Sequence, residues 1–226
     1  MRAKVDRATI LQNEFDSGAL TPLCTVIHRI DDPGLYQGEV LSDGRVVGRF
    51  SVQAGLREAG SQVNIDLAAV RRMQREAFQV QAPGAVVFFV SRGTEGLAAR
   101  LRRADARAED FVFDSRELGE NDAFTTTLLQ PGTYEVEMQG RRERQRVLVR
   151  AAARAEQQRY VPPAPALLRQ PGQQSRAISE VGQAQTLVFQ ENTGTRVKVR
   201  LTQPAQEAQA RGMEQRTRKI GWHKPQ

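Results

Sequence analysis

Cysteine and histidine are almost absent from this chain of 226 residues, which has one cysteine, Cys24, and two histidines, His28 and His223. A single cysteine cannot form an internal disulfide, so nothing in the cysteine content points to an oxidising compartment. With so few thiols and imidazoles, metal clusters and Cys–His catalytic dyads are scarcely available. The phosphate-binding, dinucleotide-binding and GxSxG motifs are missing as well. We therefore expect no enzyme and no cofactor.

Long apolar runs are also missing. The most apolar stretch, residues 85–90, is much shorter than the roughly 20 residues that a transmembrane helix needs. Residues 1–18 contain no apolar segment of the kind found in a secretory signal. We therefore expect no membrane span and a cytoplasmic location, or a periplasmic one if the numbering starts at a processed end.

Positive charge is in excess only in the last third of the chain. The net charge is +7, and residues 152–226 hold 12 Arg or Lys against 5 Glu, whereas residues 1–151 hold 21 of each sign. Residues 152–226 are also rich in glutamine and proline. This contrast predicts a neutral globular body followed by a basic extension.

Short segments with β-type alternation run through residues 21–151 and are separated by turn sequences such as Asp43-Gly44 and Pro131-Gly132. Residues 85–90 are apolar at every position, which predicts a central strand covered on both faces. Residues 94–110 carry apolar residues at helical spacing, which predicts one inserted amphipathic helix. The fold class expected is mostly β, an antiparallel Greek-key β-sandwich with one helix and an extended C-terminal arm.

The domain organisation expected is an N-terminal arm over residues 1–20, a sandwich body over 21–151 and a basic extension over 152–226. In the extension, Val197, Val199 and Leu201 alternate with the basic residues Arg196, Lys198 and Arg200. We interpret residues 186–202 as a hairpin within the extension. No internal repeat is apparent.

Three segments resemble the cupredoxins, the copper-binding β-sandwiches. They are FQVQAPGAVVFFVS (78–91), FDSRELGENDAFTTTLLQPGTYEVEM (113–138) and RQRVLVRA (144–151). The resemblance implies a cupredoxin-like sandwich over residues 62–151. The family's cysteine ligand falls on Met138, a histidine ligand falls within the RRER sequence at 141–144, and the early histidine falls within GTEGLAARL at 93–101. A type 1 copper site needs a thiolate and two imidazoles, so the resemblance implies the fold without the copper.

Cys24 and His28 share one face of a predicted strand, but four residues at roughly 3.3 Å each place them about 13 Å apart. We therefore expect a buried apolar cysteine and a hydrogen-bonded histidine, not a metal site. Two carboxylate pairs, Asp31/Asp32 and Asp110/Asp114, are expected at turns or strand edges. A hydrolase that uses only carboxylates remains an alternative.

The densest cluster of basic residues lies at the C-terminus, around the only tryptophan. We expect it to bind a partner through Arg216, Arg218, Lys219, Trp222, His223 and Lys224. The function predicted is a non-catalytic structural or accessory subunit of a larger homo- or hetero-oligomeric assembly, with the arm docking onto another protein subunit. Two alternatives stay open: a nucleic-acid-associated protein that uses the same arm, and a ligand- or metal-binding cupredoxin relative with a rebuilt site.

Overall fold

A computed structural model describes residues 7–55, 58–73, 75–140, 144–151, 161–168, 179–190 and 194–205. These residues form two short helices, α1 (Arg7–Ile10) and α2 (Leu67–Met73), and sixteen strands. The strands are β1 (Glu14–Asp16), β2 (Cys24–Ile30), β3 (Gly34–Ser42), β4 (Arg45–Ala54), β5 (Gln62–Asp66), β6 (Arg75–Val80), β7 (Gly84–Phe89), β8 (Ala98–Arg103), β9 (Phe111–Asp114), β10 (Asp122–Thr127), β11 (Gly132–Met138), β12 (Gln145–Arg150), β13 (Ala166–Leu168), β14 (Ser179–Gly182), β15 (Thr186–Gln190) and β16 (Val197–Pro204). Neither helix has the length or apolar character to cross a membrane.

The strands form three sheets. The central sheet has the order β13-β15-β10-β2-β7-β5, the first flanking sheet β6-β4-β3-β8-β9, and the second flanking sheet β1-β16-β11-β12-β14. The mostly β prediction is confirmed, and the arrangement is consistent with a β-sandwich. The expectation of purely antiparallel sheets was wrong, because β6, β5, β14 and β13 pair in parallel with β4, β7, β12 and β15.

One face of the central sheet carries the core. A row of buried residues crosses all six strands in register: Ile65, Phe88, Val26, Phe124, Phe189 and Leu168. Phe88 contacts the first flanking sheet, with ring centroids 6.0 Å from Phe50 and 5.0 Å from Phe113. Tyr134 and Val199 of the second flanking sheet belong to the same continuous core. Both flanking sheets therefore contribute to one hydrophobic core on this face.

Turn chemistry explains the hairpin between β3 and β4. Ser42 pairs with Arg45, and the two residues between them, Asp43 and Gly44, have φ values of 48° and 77°. A two-residue hairpin of this kind needs positive φ at both positions, which aspartate and glycine tolerate. The hairpin predicted at this site is confirmed.

The strand pairing occurs twice along the chain. Strands β6-β4-β3-β8-β9 of the first flanking sheet correspond in order to β14-β12-β11-β16-β1 of the second. In the central sheet, β5-β7-β2 on one side correspond to β13-β15-β10 on the other. Repeat 1 therefore comprises β1–β8 and repeat 2 comprises β9–β16. A pseudo-twofold axis relates repeat 1 to repeat 2, and it passes through the Val26–Phe124 pair, where β2 meets β10.

The amino-acid sequence carries the same duplication, so the expectation of no internal repeat was wrong. Phe15-Asp16-Ser17 recurs as Phe113-Asp114-Ser115, and the sequence PGLY at 33–36 recurs as PGTY at 131–134, with each counterpart 98 positions later. The identities are sparse and fall mostly at turn, corner and core positions, such as Gly34/Gly132, Tyr36/Tyr134 and Leu20/Leu118. The surface residues between them differ.

Each repeat gives its first strand to the other repeat. β1 pairs with β16, and β9 pairs with β8. The amide of Ser17 donates to the Val197 carbonyl at 3.0 Å, and the Ser17 hydroxyl accepts from the Val197 amide at 3.1 Å. Ser115 makes the same two bonds with Ala99, at 2.9 and 3.0 Å. The beginning of the described chain is thus joined to its end.

The predicted helix over residues 94–110 was wrong, because β8 is a strand there. Ala99 and Leu101 alternate into the core, whereas Arg100 faces outward and forms an ion pair with Glu39 on the neighbouring strand, at 2.6 Å. Cross-strand pairing with β3 overrides the helical spacing of the apolar residues. A helix occurs instead at α2, where the Asp66 carboxylate caps the helix by accepting the Ala68 amide at 3.0 Å.

The predicted boundaries of the arms also differ from the structure. β15 and β16 lie in different sheets, so residues 186–202 are not a hairpin. The described residues after 152 supply strands β13–β16 to the central and second flanking sheets, and the expected N-terminal arm contains β1. Alternation of residues marks a strand, but it does not identify the partner of that strand.

The segment that resembles the cupredoxins, residues 62–151, is divided between the two repeats. Its strands β5–β12 lie in all three sheets. Strand β7, expected to be covered on both faces, lies inside the central sheet with Val86 and Phe88 fully buried, while Val87 and Phe89 on its other face are only half-buried.

Matching tyrosine corners begin β3 and β11. The hydroxyl of Tyr36 donates to the Asp32 carbonyl at 2.8 Å, and that of Tyr134 donates to the Gln130 carbonyl at 2.9 Å. In both cases a Pro-Gly pair lies between the tyrosine and its acceptor. Burial raises the pKa of Tyr134 to about 12.

The corner at Tyr134 predicts a stability loss in alkali. The unfolded chain releases the tyrosine proton near pH 10, whereas the folded chain keeps it up to about pH 12. This contribution to the free energy of unfolding is therefore complete below pH 10 and is lost as the pH rises to 12. In Tyr134→Phe this loss is absent. The difference in free energy of unfolding between the parent and the variant, measured by urea denaturation, should therefore shrink between pH 10 and pH 12. A constant difference from pH 9 to 12 would contradict the assignment.

Because β1 pairs with β16, we predict that one substitution in β1 has a large effect on stability. Phe15 is 1% exposed and pairs with Val199. Phe15→Ala should lower the free energy of unfolding by about 3–5 kcal/mol, the usual cost of deleting a buried phenylalanine side chain. Val112→Ala, in β9 at 46% exposure, is the control and should cost less than about 1 kcal/mol. Equal effects in chemical denaturation would show that β1 is not part of the folded body.

Candidate functional site

The predicted partner-binding cluster lies outside the described residues. This applies to all six of its members: Arg216, Arg218, Lys219, Trp222, His223 and Lys224. The structure therefore neither brings them together nor separates them, and the cluster stays a prediction.

A buried histidine–aspartate pair joins the two repeats. His28 of β2 and Asp122 of β10 are directly opposite in register, and His28 Nδ1 lies 2.7 Å from Asp122 Oδ1. Only 6% of His28 and 5% of Asp122 is exposed. The other oxygen, Asp122 Oδ2, accepts the amide of Gly119 at 2.7 Å, and the His28 ring lies 4.8 Å from the ring of Phe113. The prediction of a hydrogen-bonded histidine is confirmed.

The pseudo-twofold axis relates this pair to a second one. Cys24 lies opposite Thr126, and the thiol sulfur is 3.9 Å from the threonine hydroxyl. Cys24 is buried, as predicted, and burial raises the pKa of its thiol. We call these four residues, His28, Asp122, Cys24 and Thr126, the seam. Its polar groups bond to one another, which fits a role in fixing how the two repeats meet.

Sequence reasoning found His28 and Cys24 but missed Asp122. The histidine and the aspartate are 94 residues apart. Only the register between β2 and β10 brings them together, and the one sequence signal for that register is the faint repeat.

The residues expected to stand in for copper ligands have structural roles. Met138 is buried in the core at the end of β11, and Arg144 pairs with Glu135 at 3.0 Å. Among the residues that the structure describes, no three His, Cys, Asp or Glu side chains are grouped so as to hold a metal ion.

The carboxylate pairs lie at turns and strand edges, as predicted. Asp31 follows β2 and pairs with Arg29 at 2.6 Å, and Asp114 ends β9 and pairs with Arg116 at 2.5 Å. Both are engaged with a neighbouring arginine two residues away.

The outer face of the second flanking sheet carries rows of alternating charge. Acidic residues on β1 and β11 flank basic residues on β16, and the rows continue to Arg144 beside β12. Arg196 binds Asp16 at 2.8 Å, Arg200 lies 3.4 Å from Glu14, and Lys198 lies 3.8 Å from Asp16. The basic face predicted for residues 196–200 therefore exists, but its charges are paired within the fold.

The outer face of the first flanking sheet is built in the same way. Glu39 binds Arg100 at 2.6 Å and lies 3.7 Å from Arg49, and the Arg100 guanidinium lies 4.2 Å above the ring of Phe111. These are solvent-facing pairs, each of which contributes little to stability. On this face Glu39 is shared by two arginines, and Arg102 bonds to the neutral side chain of Gln37.

A cleft of about 190 Å³ lies beside α1, lined by Thr9, Gln12, Thr21 and Gly93 among others. Ligand pockets usually enclose about 300–1,000 Å³ and combine an apolar lining with convergent polar groups. This cleft is smaller than such a pocket. It is lined mostly by residues that precede β2, whereas His28 of the seam lies near the end of β2.

Comparisons with protein-family models, with curated proteins and with solved structures find no match to this chain.

The seam predicts a selective loss of stability. Asp122→Ala leaves His28 buried without its acceptor, which should lower the free energy of unfolding by about 1–3 kcal/mol. Asp122→Asn keeps an oxygen at that position and should cost less. Glu120→Ala, two residues away and exposed, is the control, and chemical denaturation at neutral pH is the measurement. If Asp122→Ala and Glu120→Ala are equally stable, the pair does not hold the repeats together.

Proposed function

We propose that the protein is a non-catalytic structural or accessory subunit of a larger protein assembly, and that its basic C-terminal residues dock onto a partner subunit. The observation that carries this proposal is the closed, duplicated β-body. Its first strand is paired with its last, and its seam joins the repeats through mutually bonded side chains. Such a body is a rigid support that places an attached segment at a fixed position.

The burial of the described histidine and cysteine, two residue types often used in catalysis, supports the non-catalytic assignment. His28 is buried between Asp122 and Phe113, and Cys24 is buried with a raised thiol pKa. A reactive cysteine needs a lowered pKa and access to solvent. Both residues therefore fit a structural role better than a catalytic one.

Charge distribution supports a protein partner. Several basic residues of the flanking sheets, among them Arg100, Arg196 and Arg200, are paired with acids, which leaves fewer free cationic groups there for phosphates. The sequence beyond residue 205 combines five basic residues with Trp222. A tryptophan with arginine and lysine close to it in the sequence suits a pocket on a protein, since Trp and Arg are enriched at the energetic centres of interfaces.

The proposal includes a cupredoxin-like, Greek-key relationship for the fold. Supporting features are the Phe113–Ser115 segment at the end of β9, followed after β10 by the Pro131-Gly132 turn and the corner at Tyr134 that begin β11. The arrangement would serve as a scaffold without the family's copper.

The test is removal of residues 206–226. β16 ends at Pro204, so this truncation keeps every described strand. The expected result is an unchanged melting temperature together with loss of binding to the partner. The partner is first co-purified with the tagged full chain from its source cells and then produced pure.

In the reconstituted complex, Trp222→Ala should weaken affinity by about 30-fold or more, equivalent to roughly 2 kcal/mol, with mild salt dependence. Lys198→Gln is the matched control, because Lys198 belongs to a paired row on β16, and it should leave affinity unchanged. A 20-base-pair DNA duplex is the competing probe. Tight duplex binding with a log–log salt slope near −0.9 per phosphate contact, lowered by neutralising Arg216, Arg218 and Lys219 but not by Trp222→Ala, would favour the nucleic-acid alternative.

A further inference from the structure

The central sheet has a second face that nothing in the described chain covers. Along β2, β7 and β15, the side chains that alternate with the core residues are Ile27, Val87, Phe89 and Val188, and all four are half-buried. None of them belongs to the hydrophobic core or packs against it. Alanine and threonine fill most of the positions between them, and we call this surface the open face.

The open face is continuous across the strands. Leu167, Val188, Thr125, Thr25 and Phe89 follow one another in register from β13 to β7. In the next row, Ala123, Ile27 and Val87 are adjacent. A flat surface of β-branched and aromatic side chains therefore crosses both repeats.

Charge is confined to the margin of the open face. Arg29 is already paired with Asp31, and the Asp66 carboxylate is occupied by the amide of Ala68 and by Ser91. The outer faces of the two flanking sheets, in contrast, carry rows of paired ions. A single molecule thus has two sheet surfaces suited to water and one suited to contact with protein.

The sequence of β7 points the same way. Residues 85–90 are apolar at every position, a pattern typical of strands covered on both faces. The flanking sheets cover Val86 and Phe88, and Val87 and Phe89 remain uncovered. A second layer of protein on the open face would bury the outward apolar residues of β7, as its sequence pattern predicts.

We propose that the open face binds the open face of a second copy of this chain, as a face-to-face pair of sheets. This deepens the proposed structural role, on which it rests, by naming one partner. The pseudo-twofold axis gives the surface two related halves, and an isologous dimer needs a surface that is complementary to itself. An uncharged surface meets that need, and each threonine hydroxyl both donates and accepts a hydrogen bond.

The size of the surface fits a dimer. Five of the six strands have three outward residues and β13 has one. At about 4.8 Å between strands and about 6.6 Å between outward residues, these positions cover on the order of 500 Å² per copy. Two copies would bury about 1,000 Å², which is the lower limit for a biological interface and fits a monomer–dimer equilibrium. The two central sheets would then pack about 10 Å apart.

The test is the oligomeric state of the full chain by sedimentation equilibrium between about 1 and 100 µM. We expect a monomer–dimer equilibrium, and a folded Ile27→Arg variant should be monomeric across this range. Ser51→Arg is the matched control, since Ser51 is a half-buried outward residue of β4 in the first flanking sheet, and it should dimerise like the parent chain.

Ile27→Thr is the second variant, used where the arginine variant fails to fold, because threonine is also β-branched. It should raise the dissociation constant by about 5-fold or more, whereas Val46→Thr, at an exposed valine of β4, should not change it. A parent chain that is monomeric at 100 µM overturns the inference, as does a folded Ile27 variant that dimerises unchanged.

Deleting residues 206–226 separates the two proposals. If the open face is the dimer contact, the truncated chain still dimerises, whatever becomes of its binding to another subunit. If truncation abolishes the dimer and Ile27→Arg does not, the C-terminal residues are the contact and the inference fails.

Discussion

The antiparallel pairing of β2 with β10 is the contact on which the rest of this structure depends. It joins the two repeats into one six-stranded sheet, and its register places Val26 opposite Phe124 at the centre of the core. A slip of one residue would turn every inward side chain of β2 to the other face. The seam opposes such a slip, because His28 and Asp122 satisfy each other only when they are directly opposite. Buried polar pairs that fix register at some cost in stability are a known device.

Some parts of the fold could be predicted from local sequence and others could not. Turn residues with a steric requirement, such as Asp43-Gly44 and Pro131-Gly132, predicted hairpins and corners that the structure contains. Strands with clean alternation, such as β2 and β11, lie within residues 21–151, where short strands were predicted. Pairing partners were not found, because alternation between Val197 and Leu201 is satisfied equally by a hairpin with β15 and by the actual neighbours, β1 and β11.

The helix predicted over 94–110 shows how two periodicities compete. Leu97 and Leu101 are compatible with a helix, but Ala99 is buried as well, which only a strand explains. Arg100 pairs with Glu39 across the sheet, and Arg102 bonds to the side chain of Gln37 on the same neighbouring strand, so the strand accommodates both faces. The candidate site divides in the same way. The burial of Cys24 and the hydrogen bonding of His28 could be predicted from residue type, whereas the role of Asp122 depended on a contact between distant parts of the chain.

The exchange of first strands has a consequence for how the chain is made. Glu14 and Arg200, which pair across β1 and β16, are 186 residues apart in the sequence. During synthesis from the N-terminus, Phe15 therefore emerges long before the strand that buries it. Long-range contacts of this kind slow folding, because chain entropy is lost before the contact rewards it. The nascent protein must therefore hold Phe15 without its neighbours on β16 until that strand has left the ribosome.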